Sequence, residues 1–404
     1  VEIYSQLFCF WSAVFLFCQS YRQSWSNASN VTLFLITAKR GRRRQCRCVA
    51  FTPEWVTPPD RRCLPQLANM AAFLFGFICS AGAFWALLKQ PTPLLVLDVP
   101  TARGLHQTSV PRGGGIVITA TVLFFAIWIA LRTGFDWAGV ISGIGLVGIS
   151  ALGYLDDRCH LSVKTRLAAQ FLLTGLVVLV TLDSAAWRFF GYEVNLPAYV
   201  VFVPALVILV WMVNLFNFMD GADGLVGVQS LVAALTLGYW FGSAGTTELA
   251  ILNFALAGSV AGFLWFNWTP ARIFLGDSGS LALGAWFGCM GVIGVTQIGL
   301  PFEAFLVLFG FLAFDASLTL ARRLFQGKPL SEAHRDHLYQ MLILAGWSHP
   351  RVALLTGFIG LFMAICASLI VKTPNWGLWC VVAAGSVLVS FAIWASTIAK
   401  TPNR

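Results

Sequence analysis

The sequence predicts an all-α, polytopic integral membrane protein with about ten or eleven transmembrane helices. The chain has 404 residues, of which 58% are hydrophobic and 11% are charged, whereas a soluble domain carries about 25% charged residues. Its apolar runs are about 20 residues long, which is the length that one helical crossing needs. The runs are continuously apolar and do not alternate in polarity, so helices are favoured over a barrel of strands.

The predicted spans are separated by loops that contain glycine, proline or charged residues. Each span is long enough to cross the hydrocarbon layer as a helix. The predicted spans cover residues 70–88, 113–131, 137–155, 167–183, 198–216, 225–241, 248–268, 279–297, 301–321, 351–371 and 376–396.

Basic residues are distributed unequally between the two sets of alternating loops. After residue 69, one set holds fourteen Lys and Arg residues, whereas the other holds only Arg132, Arg188 and Lys372. Because loops rich in Lys and Arg stay in the cytoplasm, the first set is predicted to be cytoplasmic. The C-terminus is then expected in the cytoplasm and the start of the first span outside.

The first 69 residues do not fit this topology. They hold nine of the 26 basic residues and no methionine, and the first methionine is Met70. Their apolar run LFCFWSAVFLFC is short for a crossing, and basic residues follow it instead of preceding it as in a signal peptide. We therefore expect residues 1–69 to be a spurious or dispensable extension and residues 70–404 to be the transmembrane domain. A basic nucleic-acid tail and a cysteine metal knuckle are the alternatives.

Five polar segments lie on the predicted cytoplasmic face. The first, LDVPTARGLHQTSVPRGGGI at 97–116, carries His106 and Arg112 before a glycine-rich helix entry. Free backbone N–H groups at such an entry suit an anion. An arginine anchor beside a flexible helix entry explains the same residues equally well.

The second segment, GYLDDRCHLSVKTRLAAQ at 153–170, has Asp156 and Asp157 at the end of a span. Lys164 and Arg166 begin the next span. Adjacent carboxylates repel one another unless a cation lies near them. The alternative is an ordinary polar turn in which Arg158 pairs locally.

The third segment, NLFNFMDGADGLVG at 214–227, has Asn217, Asp220 and Asp223 spaced three apart. They stay near one face if the helix continues through them. The neighbouring glycines let a ligand approach the backbone closely. A helix end with solvated acids explains one aspartate and one glycine but not the doubled pattern.

The last two segments are TPARIFLGDSGSLALG at 269–284 and LARRLFQGKPLSEAHRDHLYQ at 320–340. Asp277 lies between glycines directly before a span, where an acid also suits a helix N-terminus. His334, Arg335 and His337 form a compact set suited to phosphate. A positively charged anchor explains the arginines and lysines of that loop but not its histidines.

One membrane face thus presents carboxylates suited to a hard cation and basic groups suited to phosphates. A carboxylate near hydrocarbon costs about 3 kcal/mol on insertion scales, so several on one face indicate a compensating ligand. Mg²⁺ binds few protein carboxylates and is usually shared with substrate phosphates. The economical inference is a nucleotide diphosphate substrate, with a lipid acceptor in the apolar grooves between spans.

The five segments, in this order, resemble the polyprenyl-phosphate N-acetylhexosamine-1-phosphate transferase superfamily, glycosyltransferase family 4. The resemblance runs from Asp98 to Gln340, and the trio of DD after a span, NFMDGADGL and FLGDSGS makes it specific. It implies transfer of a sugar 1-phosphate from a UDP-sugar to undecaprenyl phosphate in a bacterial inner membrane, with release of UMP. Mg²⁺ is the implied cofactor, with Mn²⁺ as an alternative. It implies no nucleic-acid partner and leaves a homodimer open.

The resemblance also implies roles for individual residues. Asp277 matches the acid that holds Mg²⁺, and Asp220 is placed near the metal. Asp156 and Asp157 match paired acids near the reacting phosphates, where we expect metal support and acceptor positioning, with base catalysis second. The catalytic set is completed by His334, Arg335 and His337. The implied substrate-binding residues are Asn217, Asp220, Asp223, Arg112, His106 and Lys164.

The histidine-containing loop departs from one branch of this superfamily. The peptidoglycan enzyme has three consecutive histidines, whereas HRDHLYQ has Tyr339 and Gln340 after its second histidine. That arrangement resembles the branch that serves O-antigen, lipopolysaccharide and other surface polysaccharides, with donors such as UDP-GlcNAc and its 6-deoxy relatives. The alternative within the superfamily is a phospho-N-acetylmuramoyl-pentapeptide transferase of cell-wall synthesis.

A protein of a different class, a transporter of lipid-linked sugar, would also use buried acids. Transporters place binding groups near the bilayer midplane on broken helices, often in repeated halves. Here the acids lie at one predicted face and the sequence shows no internal repeat. The sequence therefore favours the enzyme.

Overall fold

A computed structural model describes residues 63–89, 92–98, 109–182, 186–329 and 334–400. In these ranges the chain forms thirteen α-helices and four short strands. The helices are α1 (Cys63–Lys89), α2 (Gly114–Thr133), α3 (Trp137–Cys159), α4 (Val163–Thr181), α5 (Ala198–Met219), α6 (Leu225–Ser243), α7 (Thr247–Asn267), α8 (Asp277–Thr296), α9 (Phe302–Leu308), α10 (Gly310–Phe325), α11 (Leu338–Leu344), α12 (His349–Lys372) and α13 (Gly377–Lys400). The strands are β1 (Val96–Asp98), β2 (Val110–Arg112), β3 (Ala186–Phe189) and β4 (Tyr192–Asn195).

The prediction of an all-α, multi-pass membrane protein is confirmed. Ten of the described helices are long and apolar enough to cross a membrane, and α9 with α10 forms an eleventh candidate that is bent by 74°. The predicted ninth span, 301–321, is thus two helices instead of one. The break falls at Phe309 and Gly310, and glycine is a common cause of sharp helix bends.

The first described helix begins before the predicted domain boundary. Helix α1 starts at Cys63, so Met70 lies inside it. Residues 1–62 lie outside the described part of the chain. The dispensability of residues 1–69 therefore stays a prediction, and a chain that began at Met70 would lack the first seven residues of α1.

Helix α8 forms the centre of the bundle, with 89% of its apolar window buried. Glycines bring its start against two other helices. A Cβ on Gly115 of α2 would lie 2.1 Å from the Cα of Gly279, and a Cβ on Gly153 of α3 would lie 2.2 Å from the carbonyl oxygen of Asp277. Small residues allow such close approach between membrane helices. The start of α2, the end of α3 and the start of α8 therefore meet at one end of the bundle.

The glycine-rich entry to α2 is bound to the segment before α8. Strands β1 and β2 pair antiparallel, and Arg112 forms a parallel bridge with Phe274. The N–H groups of Gly113 and Gly114 donate to the carbonyl oxygen of Phe274, and that of Gly115 donates to the carbonyl oxygen of Leu275. These three N–H groups are therefore not free to bind an anion, as one of the two interpretations of this segment required. They hold the two predicted segments together.

Candidate active site

The paired acids at the end of α3 are both buried, with Asp156 6% and Asp157 7% exposed. Arg166, in the first turn of α4, donates from Nη1 to Oδ2 of Asp156 at 2.6 Å. The other oxygen of Asp156 accepts the N–H of Leu161 at 2.8 Å. Arg158 instead donates to the carbonyl oxygen of Pro93. A simple turn with Arg158 paired to its neighbours is therefore not what forms here.

Asp157 faces the start of α8. Its Oδ2 accepts the backbone N–H of Ser278 at 3.4 Å, and its Oδ1 lies 3.6 Å from Nη1 of Arg112. That Oδ1 is buried, and among the described residues it has no hydrogen-bond partner. A buried carboxylate oxygen without such a partner is costly and is suited to a cation.

Arg112 connects the first and second predicted segments. Its Nη2 lies 2.8 Å from Oδ2 of Asp98, and its Nη1 faces Asp157. Burial by itself would lower the pKa of the Arg112 guanidinium, but its hydrogen bond to Asp98 and the charges of Asp98, Asp157 and Asp277 raise that pKa. Arg112 therefore remains a fixed positive charge at the edge of the acid group, which comprises Asp156, Asp157, Asp220 and Asp277.

Asn217, in the last turn of α5, orients Asp277. Its Nδ2 donates to Oδ1 of Asp277 at 2.8 Å and lies 3.1 Å from Oγ of Ser280. The other oxygen of Asp277 lies 4.0 Å from Nη1 of Arg166. The third and fourth predicted segments thus meet across the bundle, at the end where α3 places its two acids.

Asp220 belongs to the same group through its charge. It follows the last residue of α5 and is partly exposed. Burial raises its pKa well above the ordinary value, and the negative charges of Asp277, Asp157 and Asp223 add to that effect, whereas Arg112 opposes it. A cation near Asp220 and Asp277 would relieve this repulsion.

Asp223 has a different environment. Helix α5 ends at Met219, so the condition under which Asn217, Asp220 and Asp223 would share one helix face is not met. Oγ1 of Thr269 donates to Oδ2 of Asp223 at 2.9 Å, and Nδ1 of His349 lies 3.5 Å from its Oδ1. Asp223 therefore faces the segment before α8 and the start of α12.

The histidine-containing loop is organised by Asp315, which is fully buried in α10. Its Oδ1 accepts the N–H of Leu338 at 2.9 Å and lies 3.3 Å from Nδ1 of His337. Its Oδ2 accepts the N–H of Tyr339 at 3.3 Å. Asp315 thus caps the start of α11 and holds His337, which is 3% exposed, inside the protein.

Tyr339 joins this loop to the third segment. Its hydroxyl donates to the carbonyl oxygen of Phe218 at 3.3 Å, and a Cβ on Gly221 would lie 2.3 Å from that hydroxyl. Burial, followed by the charges of Asp315 and Asp220, raises the pKa of the Tyr339 phenol. The close approach requires glycine at position 221.

His334 and Arg335 lie on the more exposed side of the loop. The rings of His334 and His337 are 5.1 Å apart. Burial, then the charges of His337 and Arg323, lowers the pKa of His334. Arg335 lines a cavity together with Arg322, Arg323 and Lys328. That cavity is not lined by any of the acids predicted for the site, namely Asp156, Asp157, Asp220, Asp223 and Asp277.

One predicted substrate-binding residue, Lys164, is not in the acid group. His106 lies outside the described residues. Lys164 is exposed, whereas Arg166, which the sequence interpretation did not assign to the site, reaches Asp156. Residues two apart on a helix point in different directions, so only one of the two can face the acids.

Other contributors were also missed. Asp98, Thr269, Asp315 and His349 each contact a predicted site residue. Asp315 carried a signal, because an acid inside a predicted span indicates a functional or structural partner. No comparable pattern marked Thr269 or His349 in the sequence.

The arrangement combines acids with two arginines at one end of the bundle. Among the described residues, no three His, Cys, Asp or Glu side chains are arranged so that they could hold a metal ion by themselves. A magnesium site that is completed by substrate phosphates needs only one or two protein carboxylates. The geometry therefore suits a cation that arrives with, or is completed by, a phosphate-bearing substrate.

Comparison with known proteins identifies relatives. The model of glycosyl transferase family 4 matches residues 138–295. A phospho-N-acetylmuramoyl-pentapeptide-transferase of Thermodesulfovibrio yellowstonii is 30% identical over 76% of this chain and 92% of its own length. A decaprenyl-phosphate N-acetylglucosaminephosphotransferase of Mycolicibacterium smegmatis is 30% identical over 68% of this chain and 76% of its own length. A probable undecaprenyl-phosphate N-acetylglucosaminyl 1-phosphate transferase of Bacillus subtilis is 27% identical over 69% of this chain and 78% of its own length.

Proposed function

The chain belongs to glycosyl transferase family 4, and we propose that it transfers an N-acetylhexosamine 1-phosphate from a UDP-sugar to undecaprenyl phosphate. An oxygen of the acceptor phosphate attacks the phosphorus that carries the sugar. The bond from that phosphorus to the bridging oxygen breaks, and UMP leaves with the bridging oxygen. The product is a lipid-linked sugar pyrophosphate that begins a surface polysaccharide.

The observation that carries this proposal is the convergence of Asp157, Asn217 and Asp277 with two arginines at one end of α3, α5 and α8. The reaction joins two anions, and fixed positive charges reduce their repulsion. The end of a membrane bundle is accessible to a nucleotide from water and to a lipid from the bilayer.

The described residues fit Mg²⁺. Asp157 Oδ1 is buried without a hydrogen-bond partner among them, and carboxylate oxygens are the ligands that Mg²⁺ takes in proteins. Asp277 and Asp157 would hold the ion, with Asp220 beside them. When bound, Mg²⁺ neutralises phosphate charge and stabilises the leaving UMP.

Neighbouring side chains orient the carboxylates of this site and hold them in place. Asn217 fixes the rotation of the Asp277 carboxylate, and Arg166 holds Asp156. Arg112 can offer two parallel N–H groups to a phosphate if Asp98 releases it. The acceptor phosphate has a second pKa near 6, so it is largely ionised at pH 7 and needs no strong base.

The proposal favours the branch that serves surface polysaccharides, because HRDHLYQ lacks three consecutive histidines. Relatives of both kinds match this chain, and one that acts on a muramoyl-pentapeptide donor covers it well. The identity of the UDP-sugar donor therefore distinguishes the two branches, and the test compares donors.

The test is incubation of the purified full chain with undecaprenyl phosphate, Mg²⁺ and a panel of UDP-sugars. Released UMP and the lipid product are both measured. We expect UMP release with UDP-GlcNAc or a 6-deoxy relative. Product formation only with UDP-N-acetylmuramoyl-pentapeptide would assign the chain to cell-wall synthesis, and no release with any donor would contradict the proposed reaction.

A further inference from the structure

A cluster of basic side chains lines a cavity that contains none of the residues of the acid group. This cavity of about 670 Å³ is lined by the end of α10, by α11, by the end of α13 and by described residues on either side of positions 330–333. Four basic side chains and one acidic side chain line it, namely Arg322, Arg323, Lys328, Arg335 and Asp336. None of the residues proposed to hold Mg²⁺ is among them, so the cavity is distinct from the metal site, although Arg335 of the predicted catalytic set lines it.

Part of this positive charge lacks a partner among the described residues. Asp336 pairs with Arg323, which also donates to the carbonyl oxygen of Pro329 at 2.6 Å. Arg322 has no carboxylate partner there, and its Nε and Nη2, like Nε of Arg323, are buried without a hydrogen-bond partner. Buried guanidinium N–H groups that lack a hydrogen-bond partner are costly, so they favour binding of an acceptor. An anion with several oxygens would supply it.

Apolar side chains lie in the cavity wall and in the adjoining last turn of α10. Leu344 lines the cavity and is 56% exposed, and the last turn of α10 exposes Leu324 at 63% and Phe325 at 90%. The cavity lies at the end of the candidate membrane span α13 and at the end of the bent candidate that α9 and α10 form together. Basic pockets between helix ends at the membrane surface bind anionic lipid head groups. Exposed apolar side chains at that depth suit acyl chains.

We propose that this cavity binds the phosphate of an anionic membrane phospholipid. Arg322, Arg323, Lys328 and Arg335 hold the phosphate oxygens, and the acyl chains lie along Leu344, Leu324 and Phe325. Such a lipid connects Lys328 and Arg335, which precede α11, to the ends of α10 and α13. Arg335 lies between the two histidines, so the bound lipid also steadies the side of the active site that faces Tyr339 and Gly221.

The experiment titrates the purified full chain in detergent with phosphatidylglycerol or phosphatidylcholine and counts bound lipid by native mass spectrometry. We expect phosphatidylglycerol to bind and phosphatidylcholine to bind much more weakly. Arg322→Gln should lower the affinity for phosphatidylglycerol about fivefold, which is the effect expected for one basic side chain near an anionic lipid. Lys328→Gln, at an exposed position that tolerates change, should lower it similarly.

The matched control is Arg351→Gln, which removes an exposed arginine of α12 that does not line the cavity. It should leave lipid binding unchanged. An equal loss in this variant would show a general surface charge effect and overturn the proposal. Equal binding of phosphatidylcholine would overturn it as well.

Two further arms identify the source of the anion. Millimolar inorganic phosphate should not displace the lipid, and displacement would assign the cavity to a free anion. Glu332 lies outside the described residues, so Glu332→Gln tests whether the chain's own carboxylate is the partner. Lipid binding that arises only in that variant would overturn the proposal. Because the readout is lipid retention, these results are independent of the transferase assay.

Discussion

Asn217 donates a hydrogen bond from Nδ2 to Oδ1 of Asp277 at 2.8 Å, across 60 residues of sequence. This bond joins the end of α5 to the start of α8 and fixes the direction of a carboxylate that is proposed to hold Mg²⁺. Hydrogen bonds to a metal-binding carboxylate keep it oriented, and their loss usually costs 10- to 100-fold in metal affinity or activity.

Asn217→Ala should therefore lower turnover about 10- to 100-fold and raise the Mg²⁺ concentration needed for half-maximal rate. The measurement is UMP release as a function of Mg²⁺ concentration. Asn214→Ala is the matched control, because Asn214 lies on the same helix and bonds Gln170 instead of an acid. Equal losses in the two variants would point to damage to α5 and not to the metal site.

Asp277→Asn should abolish nearly all turnover, by at least about 100-fold, because it removes the charge while it keeps the shape. Thermal unfolding of the purified variant should resemble that of the unchanged protein or show a higher midpoint, since a repulsive charge near Asp157 and Asp220 is lost. The measurement is UMP release at matched membrane expression. Rates near those of the unchanged protein at limiting Mg²⁺ would show that the metal is held elsewhere.

Gly221→Ala should displace Tyr339, because the new Cβ would lie 2.3 Å from the phenol oxygen. We expect lower stability and lower turnover, since α11 packs against the segment after α5 through this contact. Adding Tyr339→Phe removes the clashing oxygen and should recover part of both losses. Gly143→Ala is the control, because a Cβ there meets nothing within 4 Å. A double variant as poor as Gly221→Ala would show that the clash lies with another group.

The stability of the protein should depend on pH through His334. Burial and the charges of His337 and Arg323 lower its pKa in the folded protein, whereas the unfolded chain keeps the ordinary value of about 6.5. The folded state then binds fewer protons, so its stability falls as pH drops below about 6.5 toward the lowered pKa.

His334→Gln should flatten part of this decline when unfolding temperature is measured in detergent from about pH 7.5 to about pH 5. His160→Asn is the control, because His160 is exposed at the end of α3 with φ of 48°, a conformation that asparagine tolerates. The same slope in the His334 variant as in the unchanged protein would contradict the assignment.

The sequence by itself determined the membrane class and nearly every helix. Long apolar runs can only satisfy their backbone groups as helices in lipid, so the predicted spans match the described helices closely. The break at Phe309 and Gly310 was not predicted, because hydropathy is nearly constant across it. Family membership was also predictable from the sequence, because the motifs DD, NFMDGADGL and FLGDSGS are short and contiguous.

The assembly of the site required the tertiary structure. Local spacing cannot show that Arg166 and not Lys164 reaches Asp156, that Asp223 turns toward His349, or that Gly113 to Gly115 use their N–H groups on the segment before α8. Each of these contacts joins residues far apart in the chain or depends on where a helix ends. Hydrophobic patterning fixes which residues enter the membrane, whereas side-chain direction, glycine-mediated helix approach and helix termination decide which polar groups meet.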